Sequence, residues 1–234
     1  KSSGGPITQD NTGVEYYCTI FAANESTLQD GLMWVGSDDG LIHITRDGGV
    51  NWENITPPQM PKWLMINSIE PSPFDPAVCY VAGTLYKTGD FKPYLYKTSD
   101  YGKTWVSITS GIEKEHFTRV LRADPARKGL LYAGTETGMY ISFDDGASWN
   151  SFQLNLPIVP ITDLTLKENS LIVATQGRSL WMLDDLTVLH QLNSVTEKDQ
   201  ITLFKPKDSY RTQGRSSKPS LTQGTNLPNG VVVY

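Results

Sequence analysis

The chain has 234 residues, a formal net charge of -5 and an aromatic content of 10%. Because no basic run is present, neither nucleic acid nor an anionic membrane surface is expected as a partner. No apolar run reaches the roughly 20 residues of a membrane-spanning helix, so the chain is not expected to span a membrane. Glycans, peptides and proteins remain as partner classes.

The composition favours a single all-β domain of short strands and tight turns, since 20 Gly and 14 Pro accompany 6 Trp and 11 Tyr. Cys18 and Cys79 each lie in a strand-like run and are expected to be buried thiols. The three histidines, His43, His116 and His190, have no metal-ligand spacing. No metal and no cofactor is predicted.

The predicted elements repeat in chain order as groups of four short strands. Residues 1–13 have no apolar periodicity and are predicted to be a lead-in loop. Residues 205–234 are rich in Ser, Thr, Gly, Pro and Lys, and are predicted to be a linker and the start of a further β module. The four predicted units and one short closing strand are residues 14–56, 64–109, 117–153, 160–193 and 201–204.

The corner between the third and fourth strand of a unit carries one motif three times, Ser/Thr-x-Asp-x-Gly-x-Thr/Ser/Asn-Trp. The copies start at Thr45, Thr98 and Ser142, which are 53 and 44 residues apart, a period typical of propeller blades. The Asp can accept turn amides, the Gly can take a positive φ, and the Trp can point into the core. In the fourth unit the motif is degenerate. The motif residues predicted to be structural are Asp47, Gly49, Trp52, Asp100, Gly102, Trp105, Asp144, Gly146 and Trp149.

These copies resemble the Asp-box, or BNR, repeats of sialidases, of two-propeller xyloglucanases and of the Vps10 domain of sortilin-type receptors. The closer resemblance is to large secreted bacterial proteins described as sortilin-like or glycosyl-hydrolase-like BNR proteins. It covers about residues 10–234. Besides the motif, it is carried by residues 10–17, 36–41, 94–98, 116–120, 154–157 and 174–181.

The resemblance implies an all-β propeller segment of about four four-stranded blades, belonging to a larger propeller followed by β-sandwich modules. It further implies a bacterial protein that is secreted, periplasmic or on the cell surface. In Asp-box folds the motif is structural and lies away from the ligand face. The motif aspartates are therefore not expected to be catalytic.

A meander of four strands places two classes of loop at one end of each blade, namely the loop between the second and third strands and the loop to the next blade. Ligands of propellers bind at such loops, because loops carry variation on a rigid scaffold. Lys92, Tyr86 and Phe117 lie on these loops. The candidate ligand-binding residues there are Asp38, Asp39, Trp63, Asp90, Phe91, Arg119, Glu136 and Arg178.

Each candidate also has a structural interpretation. Asp38 and Asp39 precede a glycine and suit a turn. Arg178 would tie neighbouring blades by bonding loop carbonyls or Glu136, and Trp63 would cap the core. Arg119 and Arg122 alternate on one strand, so one face of that strand carries cations.

The sequence favours a binding or scaffold propeller that recognises a glycan or a peptide at its loop face. One alternative is a glycoside hydrolase, which needs two carboxyl groups flanking the bond; Asp39 and Glu136 are the candidates, with other catalytic residues outside this chain. A second alternative is a sortilin-like peptide receptor. Four blades leave the first and last sheets exposed unless the chain closes, forms a homodimer or packs against other blades.

Overall fold

The computed structural model describes residues 18–192, 201–209 and 230–233, and these residues form four antiparallel sheets in chain order. Each sheet is a meander in which every strand pairs with the next one along the chain. The strands are β1 (Ile20–Glu25), β2 (Met33–Ser37), β3 (Ile42–Thr45), β4 (Glu53–Asn54), β5 (Met65–Pro71), β6 (Cys79–Leu85), β7 (Asp90–Thr98), β8 (Val106–Ser107), β9 (Thr118–Ala123), β10 (Leu131–Thr135), β11 (Gly138–Ser142), β12 (Asn150–Ser151), β13 (Ile161–Lys167), β14 (Ser170–Thr175) and β15 (Leu180–Leu183).

Burial within a sheet falls from the second strand to the fourth. Every residue of β6 and β10 is buried, because these strands are covered on both faces by neighbouring sheets. Their sequences are accordingly near-continuous apolar runs. The fourth strands β4, β8 and β12 are two residues long and exposed. This gradient is that of propeller blades, whose outermost strands face solvent.

The hydrophobic core consists of three clusters, one at each boundary between successive blades. Trp34 and Ile44 of the first blade meet Ile66 and Val81 of the second. The two other clusters join the second blade to the third and the third to the fourth. The core therefore lies between sheets and grows by one layer with each blade.

The innermost strands lie side by side in chain order, with β1 against β5, β5 against β9 and β9 against β13. Strand β13 makes no comparable contact with β1 in the described part of the chain. The four blades thus form an open arc. The all-β propeller fold expected from the sequence is confirmed.

The fourth blade differs from the sequence expectation. It has three strands in the described residues, and residues 188–191, which the four-strand repeat places in its fourth strand, lie instead in helix α1 (Thr187–Gln191). The physical reason is at the degenerate corner, where the Asp185 carboxylate accepts the Thr187 N–H at 2.9 Å and so starts a helical turn. Leu186 is buried there and anchors the helix.

The remaining segments are placed as follows. Residues 201–204, expected to be a closing strand, belong to none of the four sheets. Next to them, the backbone N–H of Lys205 donates to the Gln191 side chain at 2.9 Å. The lead-in loop expected at 1–13 lies outside the described residues. No helix in the described ranges has the length and apolar content of a membrane span.

Candidate functional site

The three Asp-box corners share one hydrogen-bond pattern. In the second copy, the Asp100 carboxylate accepts from Thr98 Oγ1 at 2.9 Å and from the backbone N and Oγ1 of Thr104 at 2.8 and 2.6 Å. The Thr98 hydroxyl accepts the N–H of Gly102 at 2.9 Å. The same four contacts recur around Asp47 and Asp144. Both oxygens of each carboxylate are used within its own turn.

These hydrogen bonds stabilise the ionised carboxylates. The backbone and side-chain N–H groups of Asn51 lower the pKa of Asp47 to about 2. Partial burial opposes the same effect at Asp100 and Asp144, but hydrogen bonds from Thr104 and Ser148 still hold both pKa values below the ordinary range. The corners connect third and fourth strands, at the end of the blades opposite the candidate loops.

The motif tryptophans connect blades. Trp105 Nε1 donates to the carbonyl of Ile55 in the preceding blade at 3.0 Å, and Trp149 Nε1 donates to the carbonyl of Ile108 at 2.6 Å. The backbone of Gly102 packs against Ile55 so closely that an added Cβ would lie 2.5 Å from its Cδ1. The glycine is therefore required by the packing as well as by its φ of 85°.

At the opposite end of the second and third blades, three aromatic side chains meet. A 3-10 turn, Tyr86–Thr88, ends at Gly89 with φ 81°, and it places the Tyr86 ring parallel to that of Phe117, with centroids 5.2 Å apart. The Phe91 ring lies 6.0 Å from Phe117 at 44°. Phe117 is buried, whereas Phe91 is 50% exposed. We call Tyr86, Phe91 and Phe117 the aromatic platform.

A charged pair borders the aromatic platform. Arg119 Nε and Nη2 each lie 2.6 Å from Glu136 Oε2. The guanidinium carbon lies 5.6 and 5.2 Å from the ring centroids of Tyr86 and Phe117, within cation-π range. Both charged side chains are partly accessible, Arg119 at 19% and Glu136 at 33%. The pair presents hydrogen-bonding groups beside exposed apolar surface.

Asp90 stabilises the start of β7, which also carries Phe91, although both residues were expected in a loop. Its carboxylate accepts from the Tyr94 hydroxyl at 2.7 Å and from the Lys92 N–H at 3.0 Å, and it forms an ion pair with Lys92 Nζ at 3.6 Å. Partial burial opposes ionisation, but the Tyr94 and Lys92 hydrogen bonds lower the pKa of Asp90. Asp90 thus makes its contacts within the first part of its own strand.

Trp63 extends the aromatic surface toward the first blade. Its backbone has φ 68°, and its side chain packs against the core between the first two blades. Together with Tyr86, Lys87 and Thr88, it lines a shallow depression beside the aromatic platform. Trp63 therefore caps the core, and its role in ligand binding stays a prediction.

The other predicted ligand-binding residues lie apart from the aromatic platform. Asp38 accepts from the backbone N and Oγ1 of Thr19 at 2.9 and 3.2 Å, which ties the loop to the start of β1. Asp39 is only 5% exposed and accepts from the Ser37 hydroxyl. Arg178 is exposed on the fourth blade. Glu136, its expected alternative partner, pairs with Arg119 instead.

Sequence reasoning missed a second charged cluster, which joins three blades. Arg122 Nη1 donates to Ser68 Oγ of the second blade at 2.7 Å, and Nη2 donates to Asp163 of the fourth at 2.8 Å. Glu70 lies 3.7 Å from Arg122. Burial raises the pKa of Glu70 to about 7, although Arg122 opposes the shift. The alternation of Arg119 and Arg122 was the available signal; nothing in the sequence marked Glu70.

A groove at the Asp-box end lies between the second and third blades. Tyr80, Lys97 and Asp145 line it. Lys97 Nζ lies 2.6 Å from Asp145 Oδ2, and the Tyr80 hydroxyl donates to Asp145 Oδ1. These polar groups bind one another across the blade boundary. Among the residues with described positions, no group of three or more His, Cys, Asp or Glu side chains is arranged to hold a metal ion.

Comparison with curated proteins gives one partial likeness, and no protein-family model matches the chain. The oligoxyloglucan reducing-end-specific xyloglucanase of Emericella nidulans is 31% identical over 111 residues, which make up 45% of this chain and 13% of that enzyme.

Comparison with solved structures gives β-propeller proteins. YCF48 bound to D1 peptide has a TM-score of 0.55 at 20% identity, covering 71% of this chain and 52% of that one. The GH74 xyloglucanase of Xanthomonas campestris has a TM-score of 0.54 at 14% identity, covering 70% of this chain and 29% of that one. The GH74 enzyme of Niastella koreensis has a TM-score of 0.56 at 14% identity, covering 72% of this chain and 28% of that one. The chain spans about half or less of the length of each, and it shares with them the β-propeller fold.

Proposed function

We propose that this chain is a ligand-binding part of a β-propeller and that it recognises an extended ligand, a glycan or a peptide, at the loop end of its second and third blades. The observation that carries the proposal is the aromatic platform bordered by the Arg119–Glu136 pair. The motif corners at the other end, whose carboxylates are used within their turns, are proposed to be structural.

The geometry of the platform supports both ligand classes. The exposed ring of Phe91 offers apolar area on which a sugar ring or a peptide side chain can stack. Arg119 and Glu136 add a donor and an acceptor beside the Tyr86 and Phe117 rings of the same platform. The likeness to a xyloglucanase favours a glycan, and we place it first; the YCF48 structure with a bound peptide supports the peptide alternative.

A glycoside hydrolase is the second candidate, and the xyloglucanase likeness favours it. Hydrolysis would need two carboxyl groups flanking the scissile bond. Asp39 lies on the first blade beside Ser37, whereas Glu136 lies on the third blade and is bonded to Arg119. Because both carboxyl groups are engaged, we rank binding above catalysis. The sortilin-like receptor and the exported bacterial location remain expectations from the sequence resemblance.

Binding to a xyloglucan oligosaccharide and to a random peptide library tests the proposal directly. Phe91→Ala should weaken binding of the recognised probe by roughly two- to tenfold, the range expected for one aromatic contact. Val106→Ala is the matched control, since Val106 is 58% exposed on an outer strand. Equal affinity of Phe91→Ala and the wild-type chain, or no binding of either probe by the wild-type chain, would contradict the proposal.

Release of reducing ends from the same oligosaccharide separates the two candidate functions. A binding propeller retains the oligosaccharide intact. Release by the wild-type chain that is lost in Glu136→Gln but kept in Glu113→Gln would establish the hydrolase instead. Glu113 is an exposed carboxylate on the loop between the second and third blades.

A further inference from the structure

The first blade exposes a face that is buried in every other blade of the arc. Trp52 of the first Asp box is 43% exposed, whereas Trp105 and Trp149 are 7% and 3% exposed. All three follow the same motif at the same corner. The difference therefore arises from what lies beside the blade.

The outer contact between successive blades is the same at both boundaries where an Asp box is present. The indole N–H of the later blade donates to an isoleucine carbonyl that follows the fourth strand of the earlier blade, Trp105 to Ile55 and Trp149 to Ile108. Trp105 also donates to Gly102 O within its turn, at 3.1 Å. Trp52 retains only the bond within its turn, to Gly49 O at 3.1 Å, among the described residues.

The inner contact follows a second rule. Each inner strand has an irregularity in its pairing with the second strand, and in the second and fourth blades the residue just before it covers a glycine in the preceding blade. Ile66 lies against Gly36, and Ile161 lies against Gly134. In the third blade, Thr118 Oγ1 donates to the carbonyl of Gly83 at 3.0 Å.

The first blade has the inner residue of this rule, but the described residues supply no glycine for it to cover. Ile20 precedes the irregularity of β1 and is 67% exposed. Its counterparts Ile66, Thr118 and Ile161 are each 0% exposed. Ile20 and Trp52 thus mark the inner and outer ends of one apolar face, which we call the leading face of the first blade.

The far side of the fourth blade does not complement this leading face. It has no fourth strand in the described residues, so it offers no carbonyl equivalent to that of Ile55. Ala174 stands where Gly134 stands in the third blade, because each pairs with the residue after the irregularity, Asp163 or Val120. A second copy of this chain, arranged head to tail, would therefore fail at both contacts.

We propose that the leading face of the first blade packs against a further four-stranded blade of the same type, one that is not among the four described here. That blade carries a glycine on its second strand, which Ile20 covers. Its fourth strand ends in a residue whose backbone carbonyl accepts the Trp52 N–H.

A fused copy of the first blade tests this proposal, because that blade contains both Gly36, which Ile66 covers, and Ile55, whose carbonyl accepts the Trp105 N–H. A copy of residues 18–57 is joined through a flexible linker to the start of the full chain, and exchange of the Trp52 indole proton is followed by NMR. We expect exchange to slow by about tenfold or more, the effect of one added hydrogen bond. A fusion in which the copy carries Gly36→Val and Ile55→Asp is the matched control and should give no protection.

A second fusion guards against misfolding of a lone blade. It joins a copy of residues 57–153, in which the copied Trp149 keeps its own Ile108 and the third blade presents Gly134. Unchanged exchange of Trp52 in both fusions would overturn the proposal. Protection of Trp52 in the unfused chain, accompanied by a dimer in light scattering, would also overturn it, since a second copy would then cover the face.

Discussion

At the scale of single residues, Arg119 and Arg46 make the same two contacts, an ion pair with a glutamate and a cation-π contact with a ring, at opposite ends of the blades. Arg46 pairs with Glu53 at 3.0 Å and lies over the Tyr101 ring at 5.1 Å, near the Asp-box corners. Arg119 pairs with Glu136 and lies over two rings at the loop end. The second pair borders the aromatic platform, in which the exposed Phe91 ring lies against Phe117.

Replacement of Arg119 by lysine should weaken ligand binding while leaving the fold intact. Lysine keeps the charge but loses the planar group that contacts Glu136 through two nitrogens and stacks on the rings. We expect affinity to fall by roughly fivefold to twentyfold, about the energy of a charged hydrogen bond. Calorimetric titration of Arg119→Lys and of the control Arg46→Lys measures this. Equal losses in both variants would contradict a specific role for Arg119.

At the scale of elements, the Asp-box corner was predictable and the fourth corner was not. The Asp, Gly and Trp types at fixed offsets determine the turn, because local hydrogen bonds and a positive φ specify it. In the fourth unit no such pattern is present. The outcome there depends on burial of Leu186 and on the Asp185 hydrogen bond, which only the folded arrangement supplies.

The motif tryptophans give a stability prediction with an internal control. Trp105→Ala should cost about 3–5 kcal/mol of unfolding free energy, because it removes a buried ring and its bond to Ile55. Trp52→Ala should cost much less in this chain, since Trp52 is 43% exposed and, among the described residues, its indole bonds within its own turn. Urea unfolding of the two variants checks the difference. Equal losses of unfolding free energy in the two variants would show that the motif tryptophans do not stabilise the chain through contacts between blades.

The candidate site was partly predictable for the same kind of reason. Meander order alone places Phe91, Arg119 and Glu136 on the same end of the blades, and the structure brings these three together. Meander order does not predict that Arg119, rather than Arg178, forms the ion pair with Glu136. That choice depends on the register of β9 with β10 within one blade, where both residues of the pair lie near the same edge.

At the scale of the whole molecule, polar contacts hold the arc together where three inner strands meet. Arg122 reaches Ser68 in the second blade and Asp163 in the fourth, so a single side chain joins three sheets. Glu70 lies beside it and is 14% exposed. The apolar layers between blades carry most of the burial, while this cluster fixes the relative position of the inner strands.

Glu70 predicts a pH dependence of stability. Its pKa in the folded chain is about 7, raised by burial above an ordinary value of 4.5. The folded state therefore binds the proton of the Glu70 carboxyl group more tightly than the unfolded state does. The stabilisation that this gives is complete below pH 4.5 and is lost as pH rises toward 7. Glu70→Gln should remove this part of the pH dependence in urea unfolding, whereas Glu115→Gln should not. If the wild-type chain and Glu70→Gln showed the same change in unfolding free energy between pH 4.5 and 7, the assignment to Glu70 would be contradicted.

The central claim is that ligand is recognised at the loop end of the blades and that the Asp-box corners only hold the fold together. Backbone chemical-shift mapping by NMR, with the tightest probe from the oligosaccharide and peptide assays, tests it most directly. We expect the shifts to cluster at residues 84–93, 117–119 and 136. Shifts that cluster instead at residues 45–52, 98–105 and 142–149 would contradict it.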